Sequence, residues 1–373
     1  MFLKSLRLQQ FRNYEQADLT FSSVVNLFIG NNAQGKTNIL EAIYLLALAR
    51  SHRAHHDREL IQWDQATANV LASVDKRYGE CELQMTVSKN GKQVRVNGLQ
   101  QKKMSEFIGQ LNVVLFAPED LELVKGSPNI RRNFLNMEIS QIYPSYVHHL
   151  RQYIRALDHK NKLLRTWHQI SSEQQQMLTI FNEQLAINAA KILKIREEFL
   201  RKLRFWSKKI HDGISNQTED LDIQYHSSLA VDLDKDDSVL IEEVMVKLEM
   251  VKEKEIRQGN ALIGPHRDDL LFFINQREVA KYGSQGQQRT AALSVKLAEI
   301  ELIQEMVGEY PILLLDDVLS ELDELRQTHL IHTFQDKVQT FITTTSIANI
   351  DMNLIGHADQ FIVTQGTIER SVD

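Results

Sequence analysis

The chain has 373 residues, 43% of them hydrophobic and 25% charged, with 5 Pro, 15 Gly and a single Cys. At roughly 150 residues per domain this is two or three globular units, and the composition excludes a disordered chain or collagen-like fibre and favours long helices over loop-rich β-architecture. The formal charge of -6, from 43 Lys and Arg against 49 Asp and Glu, counts against nucleic-acid binding, which needs clustered positive charge.

At the N-terminus Leu3, Ser5, Leu6, Arg7 and Leu8 alternate, and an apolar run from Val24 to Ile29 ends at Gly30. Two strands leading into a glycine turn are expected. Polar or charged residues interrupt the first fourteen positions, and no run of about 18 apolar residues follows, so neither a signal core nor a membrane span is expected. Cys81 has no second cysteine for a disulfide or a cysteine-based metal site, which suits a reducing, cytoplasmic compartment. Asn38 to Ala49 reads as a helix. From about 70 to 98 the chain reads as β-hairpins, with Asn90-Gly91 and Asn97-Gly98 as turn signals.

Residues 131 to 210 lack Gly and carry one Pro, and their apolar residues recur at helical spacing: Tyr153, Ile154, Leu157, Leu163, Leu164, then Leu185, Ile192, Ile195 and Phe199. This helical arm carries 15 Lys and Arg against 6 Asp and Glu, whereas residues 212 to 255 carry 13 acidic against 4 basic residues. The acidic average therefore hides a basic segment. Arg131, Arg132, Arg151, Arg155, Lys160, Lys162 and Arg165 are candidates for a phosphate-binding surface, or form a solvated helix face. Beyond 290 a helical pattern leads to an apolar strand Ile312 to Leu315, a helix near 324 to 334 and a strand near 340 to 345.

Gly30-Asn31-Asn32-Ala33-Gln34-Gly35-Lys36-Thr37 matches the phosphate-binding pattern G-x-x-x-x-G-K-[ST] in full, between a strand and a helix. Its backbone N–H groups can turn inward around phosphates, Lys36 can reach the β and γ oxygens, and Thr37 can hold Mg²⁺. Ile312 to Leu315 followed by Asp316-Asp317 places carboxylates at the end of a buried strand, where α/β sheets bind ligands. Asp316 is expected to hold Mg²⁺ and Asp317 to polarise the attacking water. Asp is one methylene shorter than Glu, so slow hydrolysis is expected. Ser284-Gln285-Gly286-Gln287-Gln288-Arg289 opens a helix and reads either as an anion seat or as a helix cap with Ser284 as N-cap.

Histidines show no metal-ligand spacing, His55-His56 and His148-His149 being adjacent pairs, so no metal beyond Mg²⁺ is expected. Trp63, Trp167 and Trp206 read as core or arm-packing residues rather than base-stacking platforms. His266, Arg267, Asp268 and Asp269 form either a polar network joining arm to head or an exposed charged turn.

These elements in this order resemble the ABC ATPases of the SMC type, and nearly the whole chain is similar to one family among them, RecF. The resemblance is carried by Phe11-Arg12-Asn13-Tyr14, the continuation Asn38-Ile39-Leu40-Glu41-Ala42, Ser51-His52-Arg53 and Phe116 to Leu121. It continues through Gly126 to Arg132, Gly264 to Asp269, Tyr282 to Thr290 and Leu313 to Asp323. It implies an α/β fold: an ABC-type P-loop ATPase head with a β-rich lobe, plus a mainly helical arm. The expected division is residues 1–115 and 259–373 for the head and 116–258 for the arm.

The resemblance also implies an ATP-dependent DNA-binding protein and weak DNA-dependent ATPase. Such a protein dimerises head to head on ATP, acts with RecO and RecR at single-strand gaps and supports the SOS response. Gly30, Asn31, Asn32, Ala33, Gln34, Gly35, Lys36 and Thr37 would bind ATP, with Lys36, Asp316 and Asp317 catalytic and Thr37 and Asp316 on Mg²⁺. Ser284, Gly286 and Gln287 would contact ATP from the second subunit, Ser320 to Asp323 would cross the dimer interface, and Arg12 would touch phosphates. Two departures stand out. ABC transporters have a histidine after the strand beyond Asp316, where this chain has Phe341-Ile342-Thr343-Thr344-Thr345, and Asn136 replaces an aspartate common in the family. A transporter ATP-binding subunit and an ATP-dependent scaffold that leaves DNA alone are the rival classes. About 275 residues separate Thr37 from Ile312, which leaves no room for a long coiled coil.

Overall fold

The computed structural model describes residues 1–166, 171–322, 324–334, 337–346 and 357–371. The first third of the chain supplies strands β1 (Phe2–Phe11), β2 (Tyr14–Thr20) and β3 (Val25–Ile29), helix α1 (Lys36–Leu48), then β4 (Thr67–Lys76), β5 (Gly79–Ser88), β6 (Gly91–Val96), β7 (Leu99–Gln100) and β8 (Val113–Phe116). Strands β2-β1-β4-β5-β6-β7 form one antiparallel sheet in that order. Alternation along β4 and β5 points Val70, Ala72, Leu83 and Met85 inward and leaves the other face wet, the pattern of a sheet packed on one side. The β6–β7 turn is Asn97-Gly98, both left-handed. At the β5–β6 hairpin the two-residue turn is Lys89-Asn90, one position before the expected Asn90-Gly91, and Gly91 opens β6 with φ of 119°.

The middle of the chain forms α2 (Leu121–Lys125), α3 (Pro128–Ile142), α4 (Pro144–Arg165), α5 (Ser172–Ile214), β9 (Leu221–His226) and α6 (Asp237–Gln258). At 1.5 Å per residue the 43 residues of α5 extend about 64 Å. Its N-terminus is capped by Ser171, whose hydroxyl accepts the Gln174 N–H while the Gln174 side chain returns to the Ser171 N–H.

The last part supplies β10 (Asp269–Ile274), β11 (Arg277–Glu278), α7 (Val279–Tyr282), α8 (Gln285–Val307), β12 (Ile312–Asp316), α9 (Glu324–Phe334), β13 (Thr340–Thr344), β14 (Ala358–Thr364) and β15 (Thr367–Arg370). Strand order β15-β14-β3-β13-β12-β8 makes a second sheet, parallel except for β15. It is covered on both sides. Ile312, Leu314, Phe28 and Phe341 share a core with α1 and the antiparallel sheet, while Leu313, Leu315, Leu27 and Ile342 pack against α8 and α9. Burial on both faces explains why β12 reads as an unbroken apolar run. Phe21, Phe28, Phe341 and Phe361 bind β3 to its neighbours, with ring centroids 4.9 to 6.4 Å apart.

A three-stranded sheet of order β11-β10-β9 crosses the expected division between residues 258 and 259, because β9 pairs with β10 from His226↔Asp269 to Leu221↔Ile274. One apolar core accordingly joins α3, α4, α5 and α6 to β9, β10 and α8. Trp63 is 90% exposed rather than packed in a core. Its loop is tied down instead by backbone, with Gln62 N–H donating to Gln10 O. Trp206 does pack on the arm core and donates its indole N–H to Glu305 at 2.8 Å; Trp167 lies outside the described residues.

Candidate nucleotide site

The phosphate loop leaves β3 at Gly30 and enters α1 at Lys36. Two glycines are demanded by space as much as by torsion: a Cβ on Gly30 would stand 2.4 Å from Val363 O, and one on Gly35 (φ 116°) would stand 2.6 Å from the Asn13 amide. Asn13 donates to Gln34 O at 2.9 Å and accepts from Asn38 at 2.8 Å, and the Tyr14 hydroxyl donates to Gly35 O at 3.0 Å. Asn13 of the β1–β2 turn and Tyr14 at the start of β2 thus grip the loop from outside. Asn31, Asn32 and Ala33 form its tip, with Ala33 left-handed at φ 64°.

Lys36 is 4% exposed, and its ammonium donates to the loop's own carbonyls, Gly30 O at 2.7 Å and Asn31 O at 3.1 Å. The Thr37 hydroxyl donates to Asp316 Oδ1 at 2.8 Å, closing the distance between the first turn of α1 and the end of β12. The same oxygen accepts from Thr343 Oγ1 at 2.8 Å, and Thr343 Oγ1 in turn accepts the Asp317 N–H at 3.0 Å. Thr343 was not among the expected site residues. It stands on β13 beside both aspartates, and only the register Asp316↔Thr343 reveals it. Asp317 is left-handed at φ 53°, and burial raises its carboxyl above the usual range, with Lys36 pulling it down and Asp316 pushing it up.

Arg12 makes a two-pronged pair with Glu41 of α1, Nε to Oε2 at 2.8 Å and Nη2 to Oε1 at 2.6 Å, and its Nη1 donates to Glu59 O at 2.8 Å. Burial alone would raise the Glu41 carboxyl, but bonds from Arg12 and Ser51 outweigh it and hold the pKa low. The guanidinium is thereby committed to α1 and the 57–60 turn. His52 follows on the next loop, its ring edge-on to Tyr44 at 5.2 Å, with a pKa lowered by burial. It lines a cleft of ≈540 Å³ beside the end of β8, together with Arg53, Glu119 and Lys296.

Ser284, Gly286 and Gln287 sit at the start of α8, on the opposite face of the parallel sheet from α1. Ser284 is the N-cap: its hydroxyl accepts the Gln287 N–H at 3.2 Å, and Gln287 Oε1 accepts the Ser284 N–H at 2.9 Å. Arg326 of α9 grips the same turn through Gly286 O at 3.2 Å and Thr290 Oγ1 at 2.8 Å. Asp323 lies outside the described residues.

The proposed DNA-contacting residues divide into two groups. Lys160 is fully buried, its ammonium 2.7 Å from Glu255. Arg131 is buried too, pairing with Asp269 through Nε at 2.7 Å and Nη2 at 2.9 Å and donating to Gly126 O at 2.6 Å. Arg132 donates to Asp268 O at 2.9 Å. Arg131 and Lys160 are corrected to internal ties, buried with Asp269 and Glu255 as their charge partners, while Arg132 stays half-buried with one guanidinium nitrogen spent on a backbone carbonyl. Arg151, Arg155, Lys162 and Arg165 are exposed and share one face of α4 by helical period.

The Gly264–Asp269 segment forms a polar network around the fully buried Asp268, with His266 and Asp269 half-buried and Arg267 exposed. Asp268 accepts from Ser228 N–H at 2.8 Å and Oγ at 2.9 Å, and from Tyr225. Arg196 of α5, fully buried, donates to Tyr146, Tyr225, Pro265 O and Asn136, at 2.9 to 3.0 Å. His266 accepts from or donates to Tyr153 at 2.7 Å, and burial with neighbouring cations holds its pKa down at about 4.

A glycine-gripped loop on a parallel sheet, with a threonine bound to the aspartate that ends β12, two strands over from β3, defines a P-loop ATPase head of ABC type. The RecF/RecN/SMC N-terminal domain model matches residues 2–364. The DNA replication and repair proteins RecF of Bacillus mycoides (strain KBAB4) and Bacillus anthracis (strain A0248) are each 50% identical over 373 residues, covering 100% of both chains. The solved recombination mediator protein RecF-ATP of the RecFOR pathway superimposes with a TM-score of 0.91 at 36% identity, covering 100% of this chain and 98% of that one. The Smc head domain from Pyrococcus furiosus is similar in fold, with a TM-score of 0.55 at 15% identity over 99% and 96% of the two chains. The chain belongs to the RecF family.

Proposed function

We propose that this chain is an ATP-dependent DNA-binding protein of recombinational repair and replication restart at single-strand gaps. It dimerises on ATP, hydrolyses it slowly, acts in the cytoplasm with RecO and RecR, and supports the SOS response. The observation that carries the reading is the arrangement of Thr37, Asp316 and Lys36 on one face of the sheet with the Ser284 cap on the other. One chain offers two halves of a nucleotide site facing different ways, and two chains related head to head would complete both.

The donor set fits a Mg-nucleotide. Thr37 Oγ1 and Asp316 Oδ1, 2.8 Å apart, are hard oxygen ligands of the kind Mg²⁺ takes, and Mg²⁺ bound there would neutralise phosphate charge. Gly30 to Thr37 wrap the phosphates with backbone N–H groups at the N-terminus of α1. Lys36, held by two carbonyls in the free loop, exchanges them for β and γ oxygens. Asp317, its carboxyl raised, accepts a proton from the attacking water. Ser284, Gly286 and Gln287 donate to the γ-phosphate held by the second chain. Arg12 serves from behind, through Glu41.

DNA lies along the exposed face of α4, where Arg151, Arg155, Lys162 and Arg165 contact phosphates. The transporter reading loses support because β13 runs out through Thr343 and Thr344 into Thr345, with no histidine where a transporter subunit has one after this strand. Binding to single-stranded, duplex and gapped DNA, with and without ATP across salt concentrations, tests the reading. ATP-dependent, salt-sensitive binding is expected; a transporter subunit or a scaffold would show none.

A further inference from the structure

Glu219 lies in the turn that follows α5 and reaches back to the first turn of α8. Gln287 Nε2 donates to Glu219 Oε1 at 2.9 Å, while the other end of the same amide caps the Ser284 N–H. Both ends of the Gln287 side chain are thus taken. The second Glu219 oxygen stands 3.2 Å from Nε2 of His211, which is fully buried in the last turn of α5. His211 Nδ1 is 3.0 Å from Ser294 Oγ. That hydroxyl gives its one proton to Thr290 O at 2.7 Å, so Nδ1 is the donor to Ser294, and the contact with Glu219 is a hydrogen bond only when the imidazole or the carboxyl carries a further proton.

The contacts run from the arm helix through Glu219 to the Ser284–Gln287 turn, and from His211 to α8 two turns further on. A carboxylate placed beside the N-terminus of α8 stands where the positive end of that helix would draw a phosphate oxygen. Resting on the reading of Ser284 to Gln287 as the segment that meets the second chain's nucleotide, we propose that Glu219 is a positioning residue acting as an internal stand-in for that phosphate. It holds the Gln287 amide in the single chain and is displaced when the second chain's nucleotide arrives. Because Glu219 and His211 are fixed to the end of α5, displacement moves with the arm: a shift of α5 by DNA changes how readily two heads join. Arg326, which grips Gly286 and Thr290 from the other side, keeps the turn folded when Glu219 leaves.

Sedimentation of the full chain with and without ATP, alongside ATP affinity at concentrations where the chain is monomeric, tests the latch. Glu219→Ala is expected to tighten the ATP-dependent dimer by roughly tenfold, the scale of one hydrogen bond to a charged group, and to leave monomer ATP affinity unchanged. Glu219→Gln keeps an acceptor without the charge and should fall between Ala and the parent; it also serves if the alanine variant does not fold. A dimer unchanged or weakened in both variants overturns the latch. Ser284→Arg separates the two levels: if it abolishes dimerisation while Glu219→Ala changes nothing, the latch alone fails, and if Ser284→Arg dimerises normally the reading of Ser284 to Gln287 as the segment that meets the second chain's nucleotide fails and takes the latch with it.

Discussion

The hydroxyl of Thr37 and the carboxylate of Asp316, 279 positions apart in the chain, are joined by a 2.8 Å hydrogen bond. The bond fixes the first turn of α1 against the end of β12 before any ligand arrives, so a cation placed there meets preformed geometry. Thr37→Val or Asp316→Asn should lower Mg²⁺ affinity in the presence of ATP by about tenfold or more, measured by titrating Mg²⁺ into a steady-state ATPase assay. Chelating the metal should stop turnover in the parent. Retention of parental Mg²⁺ affinity by both variants would refute the assignment.

Lys36 and Asp317 are close enough for the ammonium to pull the carboxyl's pKa down, and their variants should separate binding from hydrolysis. Lys36→Met is expected to impair ATP-dependent dimerisation. Asp317→Asn is expected to bind ATP, dimerise and stay on DNA, with turnover reduced by about 100-fold, the lower range for loss of a positioned base. Stopped-flow dissociation from labelled DNA measures this; release as fast as in the parent contradicts the role given to Asp317.

Cations on the arm should sort by exposure. Replacing Arg155 and Lys162 together by Glu should weaken DNA binding and flatten its salt dependence, since each lost phosphate contact reduces the slope. Lys160→Met strands Glu255 in a closed core, and leaving one member of a buried pair costs about 3–5 kcal/mol. That variant should melt earlier and, once folded, bind DNA with the parental salt slope.

Asp120 reports on pH. It is half-buried near Lys296, Glu138 and Glu299, and desolvation raises its pKa to about 6, with Lys296 opposing. A raised carboxyl contributes stability that is full below its unfolded pKa of about 3.9 and is lost as pH rises through about 6. Asp120→Asn keeps an acceptor for the Ala117 N–H, which Asp120 caps at 2.8 Å, and removes the titration. Thermal melts should show the variant gaining on the parent between pH 5 and pH 7 by roughly 1 kcal/mol; parallel pH profiles would exclude Asp120 as the titrating group.

Asn136 accepts from Tyr146 at 2.7 Å and from Arg196 at 3.0 Å. Both partners are donors, so a carboxylate suits the position at least as well as an amide. Asn136→Asp should raise stability by about 1 kcal/mol, the gain from charging one acceptor, read as a higher melting temperature at pH 7. A lower one would mean that Asp268 already satisfies Arg196 and that a second buried charge is only a burden.

What the sequence made visible was whatever lay in one contiguous stretch. The loop from Gly30 to Thr37, the strand ending in Asp316, the cap at Ser284 and the helices of the arm each carry their own periodicity or spacing. Pairings across distance were invisible: β9 meets β10 past a 22-residue helix, and Thr343 reaches the aspartates only through strand register. Burial of cations was also illegible. Arg131 and Arg151 look alike in a charge count, yet one is buried against Asp269 and the other is exposed, because the decision rests with acidic partners more than a hundred positions downstream. Trp63 misled in the opposite sense, since an aromatic residue carries no mark of whether its loop lies over a core.

Strand order in the parallel sheet bears on how the protein emerges during synthesis. β3, which launches the phosphate loop, lies between β13 and β14, strands made more than three hundred residues later. Until those arrive, β3 has two bare edges, and its apolar residues Val25, Leu27 and Phe28 lack the neighbours that bury them. The nucleotide loop can therefore close only after the segment from 340 to 362 has been made, and a nascent or truncated chain ending before residue 340 has the motif in sequence without the site.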